Sequence, residues 1–302
     1  MITIEQFFST LRGIVHYPWN YDKNNTIILS GVARGGTTWI AEIINTNNNY
    51  RYNFEPLHTN YVPLFEDFIL NQYISPESNN SYYIEKIERL LSGRMHNLWT
   101  DRFNKKIFYD RMLIKEVRMN LMLSFIRKIF PEVKIVLLLR HPFAVANSRI
   151  NLGWNGYIKS FCDQTKLVKE HLESNIPNIQ TCVSDFEKQI CMWCVQNSIP
   201  LSQLRFDKNT YICFYEHFCI NTYKETKKLF EWLNMESSNL DKKNLNRLSK
   251  LAKKNSSDTM LFLEAWKKRF SSREISRGLE ILSWFGIEEI YGREPIPIIK
   301  EV

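Results

Sequence analysis

The stretch Thr26-Ile27-Ile28-Leu29-Ser30-Gly31-Val32-Ala33-Arg34-Gly35-Gly36-Thr37-Thr38-Trp39 decides the fold. Its first part is a short apolar run ending at glycine, which suits a buried parallel strand better than so short a helix. Gly31, Gly35 and Gly36 then form a loop, and the spaced apolar residues Trp39, Ile40, Ile43 and Ile44 predict a helix. Between a buried strand and a helix, such a loop aims backbone N–H groups and the positive end of the helix dipole at one point, where an anion can sit. The outline is G-x-x-x-x-G, but Thr37 stands where nucleoside triphosphatases and most P-loop kinases carry lysine. Arg34 lies inside the loop instead, and the usual Mg-ATP arrangement loses its main β/γ-phosphate contact.

Working outward, the same pattern recurs. Met112 to Lys115 predicts a second strand, followed by an amphipathic stretch with Leu121, Leu123, Phe125, Ile126, Ile129 and Phe130 that Pro131 terminates. Val133 to Leu139 is nearly continuous hydrophobe, ends at Arg140, and leads to Pro142 in the first turn of a predicted helix. Thr210 to Tyr215 predicts a fourth strand, with a helix through Tyr223, Leu229, Phe230, Trp232 and Leu233. This alternation predicts an α/β protein: a P-loop-like three-layer fold with a mostly parallel central sheet flanked by helices. With no repeat or long linker in the 302 residues, one domain spanning 1–302 is expected.

The net charge of +8 points to an anionic partner, whether nucleotide, nucleic acid or acidic membrane. No apolar run approaches the roughly 18 residues that span a bilayer, and Met1 to Glu5 lacks the features of a signal peptide; a cytoplasmic protein without a membrane partner is expected. The six cysteines read as free thiols. Cys191 and Cys194 form a C-x-x-C pair within a buried-helix pattern, and no second pair follows, so no metal site is expected. Lys242, Lys243, Arg247, Lys250, Lys253 and Lys254 read as a solvated basic surface rather than a nucleotide contact.

Arg34-Gly35-Gly36-Thr37-Thr38-Trp39 resembles the 5′-phosphosulfate loop of sulfotransferases that use 3′-phosphoadenosine 5′-phosphosulfate (PAPS), written K/R-S/G-G-T-T-W. Arg140 and Ser148, eight positions apart after the third predicted strand, resemble the 3′-phosphate motif of the same family. An arginine ending a strand and a serine about two turns along the next helix can reach one edge-bound phosphate. Lys115-Glu116 resembles the family's K-E segment, and Tyr215-Glu216 its R-Y-E-D segment, with Phe214 and His217 replacing the arginine and aspartate. Trp266 to Arg269, on through Phe285-Gly286, is similar to the closing helix of bacterial and carbohydrate-type members.

The resemblance implies roles. Arg34 would stabilise the leaving phosphate, Thr37, Thr38 and the amides of Gly35 and Gly36 would hold the 5′-phosphate, and Trp39 would pack on the adenine. Tyr215 would touch the adenine or serve the core. Phe54-Glu55-Pro56-Leu57 resembles the F-E-P-L segment of carbohydrate sulfotransferases, which makes Glu55 the first candidate for general base, with His58 and Glu116 as alternatives. PAPS would be the co-substrate, PAP the product, and a small molecule with a hydroxyl or amine the acceptor, with no metal required. Two other readings compete: a small-molecule kinase using Mg-ATP, which lacks its lysine, and a polyanion binder without turnover, which lacks the aromatic-interleaved basic motif of nucleic-acid readers.

Overall fold

The computed structural model describes residues 22–106, 109–236, 242–253 and 258–299. Its centre is a five-stranded sheet in the order β2-β3-β1-β4-β5, every pair parallel. The strands are β1 (Thr26–Gly31), β2 (Tyr50–Phe54), β3 (Arg111–Glu116), β4 (Lys134–Leu139) and β5 (Thr210–Phe214). The expected α/β fold is therefore present, with the sheet wholly parallel.

Alternation along β1 explains the layers. Ile28 points into one apolar cluster, where it joins Ile114, Ile135, Leu137 and Phe143. Ile27 and Leu29 point into the other, with Trp39, Ile40, Leu113, Val136 and Leu138. Full burial of each such side chain contributes about 1.5–3 kcal/mol. Helices cover both faces: α1 (Thr37–Ile44), α2 (Ser81–Leu91), α3 (Leu123–Ile129), α4 (Pro142–Ile150), α5 (Asp185–Leu204), α6 (Tyr215–Ile220), α7 (Thr222–Leu233), α8 (Lys242–Ala252) and α9 (Ser272–Ser283). Pro142 occupies the first turn of α4, where a missing N–H costs nothing, and His141 caps the helix, its Nδ1 accepting from Phe143 N at 3.2 Å. Cys191 and Cys194 are buried in α5, and the six cysteines are free thiols.

β2 is a strand the sequence pattern hides. Tyr50-Arg51-Tyr52-Asn53-Phe54 alternates with polar residues, yet all five are buried. Arg51 is accommodated by Asp101 at 2.8 Å and by the carbonyls of Gly93 and Met95, so its charge is compensated rather than solvated.

The register brings the carboxyl ends of the strands to one edge. Ser30 lies opposite Glu116, Gly31 opposite Leu138, Phe54 opposite Lys115 and Leu139 opposite Phe214. The chain leaves β1 toward β2 and β3 on one side, and β4 and β5 lie on the other, which makes the edge above β1 the switch point where open α/β sheets bind ligands.

Candidate active site

A crevice of about 480 Å³ opens at that switch point. The loop after β1 forms its floor. Gly36 sits at φ 94°, a left-handed conformation that glycine adopts without strain, and a Cβ there would collide with the Tyr215 ring. Arg34 also has positive φ, at 70°, and its carbonyl accepts from Arg140 NH1 at 2.9 Å. Gly36→Ala is expected to cost roughly 1–3 kcal/mol from crowding alone. It should also weaken PAP binding, because the displaced Tyr215 ring supports Arg140; thermal unfolding and a PAP titration check both effects.

Arg140, at the end of β4, lays its guanidinium 4.4 Å from the Tyr215 ring centroid. Its Nε is buried with no hydrogen-bond partner among the described residues. Ser148, on α4, accepts from Arg34 Nε at 3.0 Å. Arg34, Arg140 and Ser148 thus lie in contact at one edge of the sheet. Trp39 and Tyr215 meet edge to face at 5.4 Å and line the crevice with Leu248, Leu251 and Ala252 of α8. Among the described side chains, the basic stretch lines the crevice through Leu248, Leu251 and Ala252 of α8; Arg247 bonds to Asn244, and Lys254 lies outside the described residues.

The opposite wall is charged. Glu55 follows β2 at φ 44°, a left-handed conformation uncommon for a non-glycine residue. Its carboxylate pairs with Lys115 Nζ at 2.5 Å and with Arg118 NH1 at 3.2 Å. Burial opposes ionisation of Glu55, but the Lys115 and Arg118 charges and hydrogen bonds outweigh it and hold the carboxyl below its usual range. Burial also pulls the Lys115 ammonium down from its ordinary value.

The two alternative bases are placed differently. Glu116 is fully buried and accepts from the N–H groups of Leu57, Val117 and Arg118 at 2.6, 2.8 and 3.1 Å, a structural tie between β3 and the turn after β2. His58 does not line the crevice; its ring packs against Tyr61 and Trp99 at 4.5 and 4.8 Å. The crevice also contains Lys115, Val117, Arg118 and Trp154, which sequence reading did not assign to the site. A basic residue two positions beyond Lys115-Glu116 was the available signal for Arg118.

Behind Arg140 a buried cluster fixes the backbone. Glu216 accepts from His141 N at 2.8 Å and from the Tyr291 hydroxyl at 3.0 Å. Burial pushes the Glu216 carboxyl up to about 7 and the His141 imidazole down to about 3. Among the described residues no group of His, Cys, Asp or Glu has the arrangement of a metal site, and no helix is long and apolar enough to cross a membrane.

The sulfotransferase domain family matches residues 24–279. No curated protein matches the chain. Similar solved structures include a mouse sulfotransferase complexed with PAP, at 15% identity and a TM-score of 0.45, covering 94% of this chain and 90% of that one. Another is the sulfotransferase domain from the curacin biosynthetic pathway, at 15% identity and 0.49, covering 86% and 96%. A third is a retinol dehydratase in complex with androsterone and inactive cofactor PAP, at 16% identity and 0.42, covering 91% and 84%.

Proposed function

The chain belongs to the sulfotransferase family, and from that premise we propose that it moves the sulfuryl group of PAPS to a hydroxyl or amine of a small-molecule acceptor in the crevice above β1. The observation that carries this reading is the convergence of the glycine loop, Arg34, Arg140 and Ser148 at one edge of the sheet. The residues fit such a donor: glycine at position 36 lets the Tyr215 ring lie against the loop, and Arg140 Nε is a buried donor lacking an acceptor among the described residues. The kinase alternative is not favoured, since the family match and the threonine at position 37 both point away from it.

Arg140, with Ser148, would hold the 3′-phosphate, and the amides and hydroxyls from Gly35 to Thr38 would hold the 5′-phosphate. Trp39 and Tyr215 supply an aromatic wall for adenine. Sulfuryl transfer builds negative charge on the departing bridging oxygen, which a positioned cation stabilises. Arg34 is that cation in this reading, and its Nε donates to Ser148 Oγ at 3.0 Å. Glu55, ionised and facing the crevice, would take the proton from the acceptor. Lys115 and Arg118 aim it.

Calorimetry with PAP and ADP tests the 3′ site. Arg140→Ala should lower PAP affinity roughly ten- to hundredfold, the loss of a charge-assisted hydrogen bond, and change ADP affinity far less. Equal affinities of the wild type for PAP and ADP would sink the assignment.

A further inference from the structure

A second cavity, of about 220 Å³, adjoins the crevice and shares Ala33, Val117, Arg118 and Trp154 with it. Arg149 lines its inner wall with only 4% of its surface exposed. The guanidinium donates to Ala33 O at 3.1 Å, to Gln189 Oε1 at 3.1 Å and to Gln196 Oε1 at a long 3.5 Å. All three partners are neutral. A guanidinium carries five N–H groups, so one on each terminal nitrogen is left without an acceptor among the described residues.

The contrast with Arg51 is informative. That arginine is equally buried, and Asp101 neutralises it at 2.8 Å. Burying a cation without a counter-charge is costly, and a bound anion would supply the missing charge through short charge-assisted hydrogen bonds. The cavity lining carries two arginines and neither aspartate nor glutamate. Arg118 is already committed to Glu55 and Glu116, which leaves Arg149 as the open positive charge. Its glutamine partners are themselves fixed, Gln189 donating to Trp154 O at 3.0 Å and Gln196 to Asn71 Oδ1 at 2.8 Å, so their oxygens stay turned toward the guanidinium. Leu70, Trp154 and Tyr157, all substantially exposed, form an apolar rim.

Resting on the sulfotransfer reading above, we infer that this cavity takes the acceptor and that the acceptor bears a carboxylate or an equivalent anion seated on Arg149. Its apolar body lies against the rim, and its reacting hydroxyl or amine faces Glu55 across the residues the two cavities share. Arg149 is then a specificity-determining residue as well as a prop for the loop through Ala33 O.

The test is calorimetric titration of the full chain with para-hydroxybenzoate and para-hydroxyphenylacetate against their primary amides, with and without saturating PAP. The carboxylates should bind roughly ten- to hundredfold tighter than the amides, the effect of a charge-assisted hydrogen bond. Gln189→Glu places a resident carboxylate beside Arg149 and should erase that preference while leaving PAP affinity unchanged. Equal binding of acid and amide by the wild type overturns the inference without any variant, as does a preference that survives Gln189→Glu in a protein whose melting curve is normal. Absence of PAP binding would instead sink the nucleotide reading on which the inference rests.

Discussion

Arg34→Ala is expected to reduce transfer roughly 100- to 1000-fold, the usual cost of removing one preorganised donor aimed at developing charge. PAP affinity should fall much less. Arg34 is exposed, and among the described residues its side chain bonds only to the Ser148 hydroxyl, so its removal should leave the fold intact. The loop geometry belongs to the backbone: Arg34 O still accepts from Arg140, and Gly35 N still donates to Val32 O at 2.8 Å. Alanine at a positive φ strains the loop no more than arginine does. Single-turnover rates with any accepted substrate, set beside calorimetric PAP binding, separate the two effects. If affinity collapses as far as the rate, Arg34 is a binding residue and the assignment to the leaving group fails.

Ser148→Ala offers a related contrast. It frees the Arg34 guanidinium without removing it and takes one hydroxyl from the 3′-phosphate site, so PAP affinity should fall while the rate at saturating PAPS changes by far less than in Arg34→Ala. A similar loss of rate in both variants would mean that the hydroxyl itself acts on the reacting group.

Much of the site was legible because its parts are local in sequence. The glycine loop joins β1 to α1 within a few residues, and Arg140 and Ser148 are separated by His141 and the first two turns of α4, so strand and helix periodicities fix their placement. What escaped was set by tertiary partners. β2 carries no strand signal because Arg51 and Asn53 interrupt its apolar residues, and Asp101, Gly93 and Met95, far along the chain, make Arg51 buriable. Arg118 and Trp154 reach the crevice from the loops after β3 and α4, and no period governs a loop. α8 looked like a charged surface because six basic residues dominate the stretch around it, whereas its buried Leu245 and Leu248 determine where it packs. His58 had the right chemistry for a base, but the turn through Pro56 sends its ring toward Trp99.

Glu55→Gln should lower the maximal rate about 100- to 10,000-fold, the range for loss of a general base, with PAP affinity largely retained. The pH profile carries the sharper test. Because Lys115 and Arg118 hold the Glu55 carboxyl below its usual range, it is ionised throughout the neutral region, and acidification should cost activity only once pH falls below the ordinary carboxylate range. The same depression links Glu55 to stability: its contribution is present above the unfolded-state value, and it is lost as pH falls through the lower folded-state value. The neutral amide of the Glu55→Gln variant would leave Lys115, which is nearly buried, without its counter-charge, an effect worth about 3–5 kcal/mol for a buried pair. Melting curves must therefore accompany the kinetics, and Glu55→Asp, which keeps the charge but shortens the reach, should recover stability more than rate. A variant that recovers both in proportion would place Glu55 as a strut for Lys115 and Arg118, and the proton acceptor would have to be sought on the substrate.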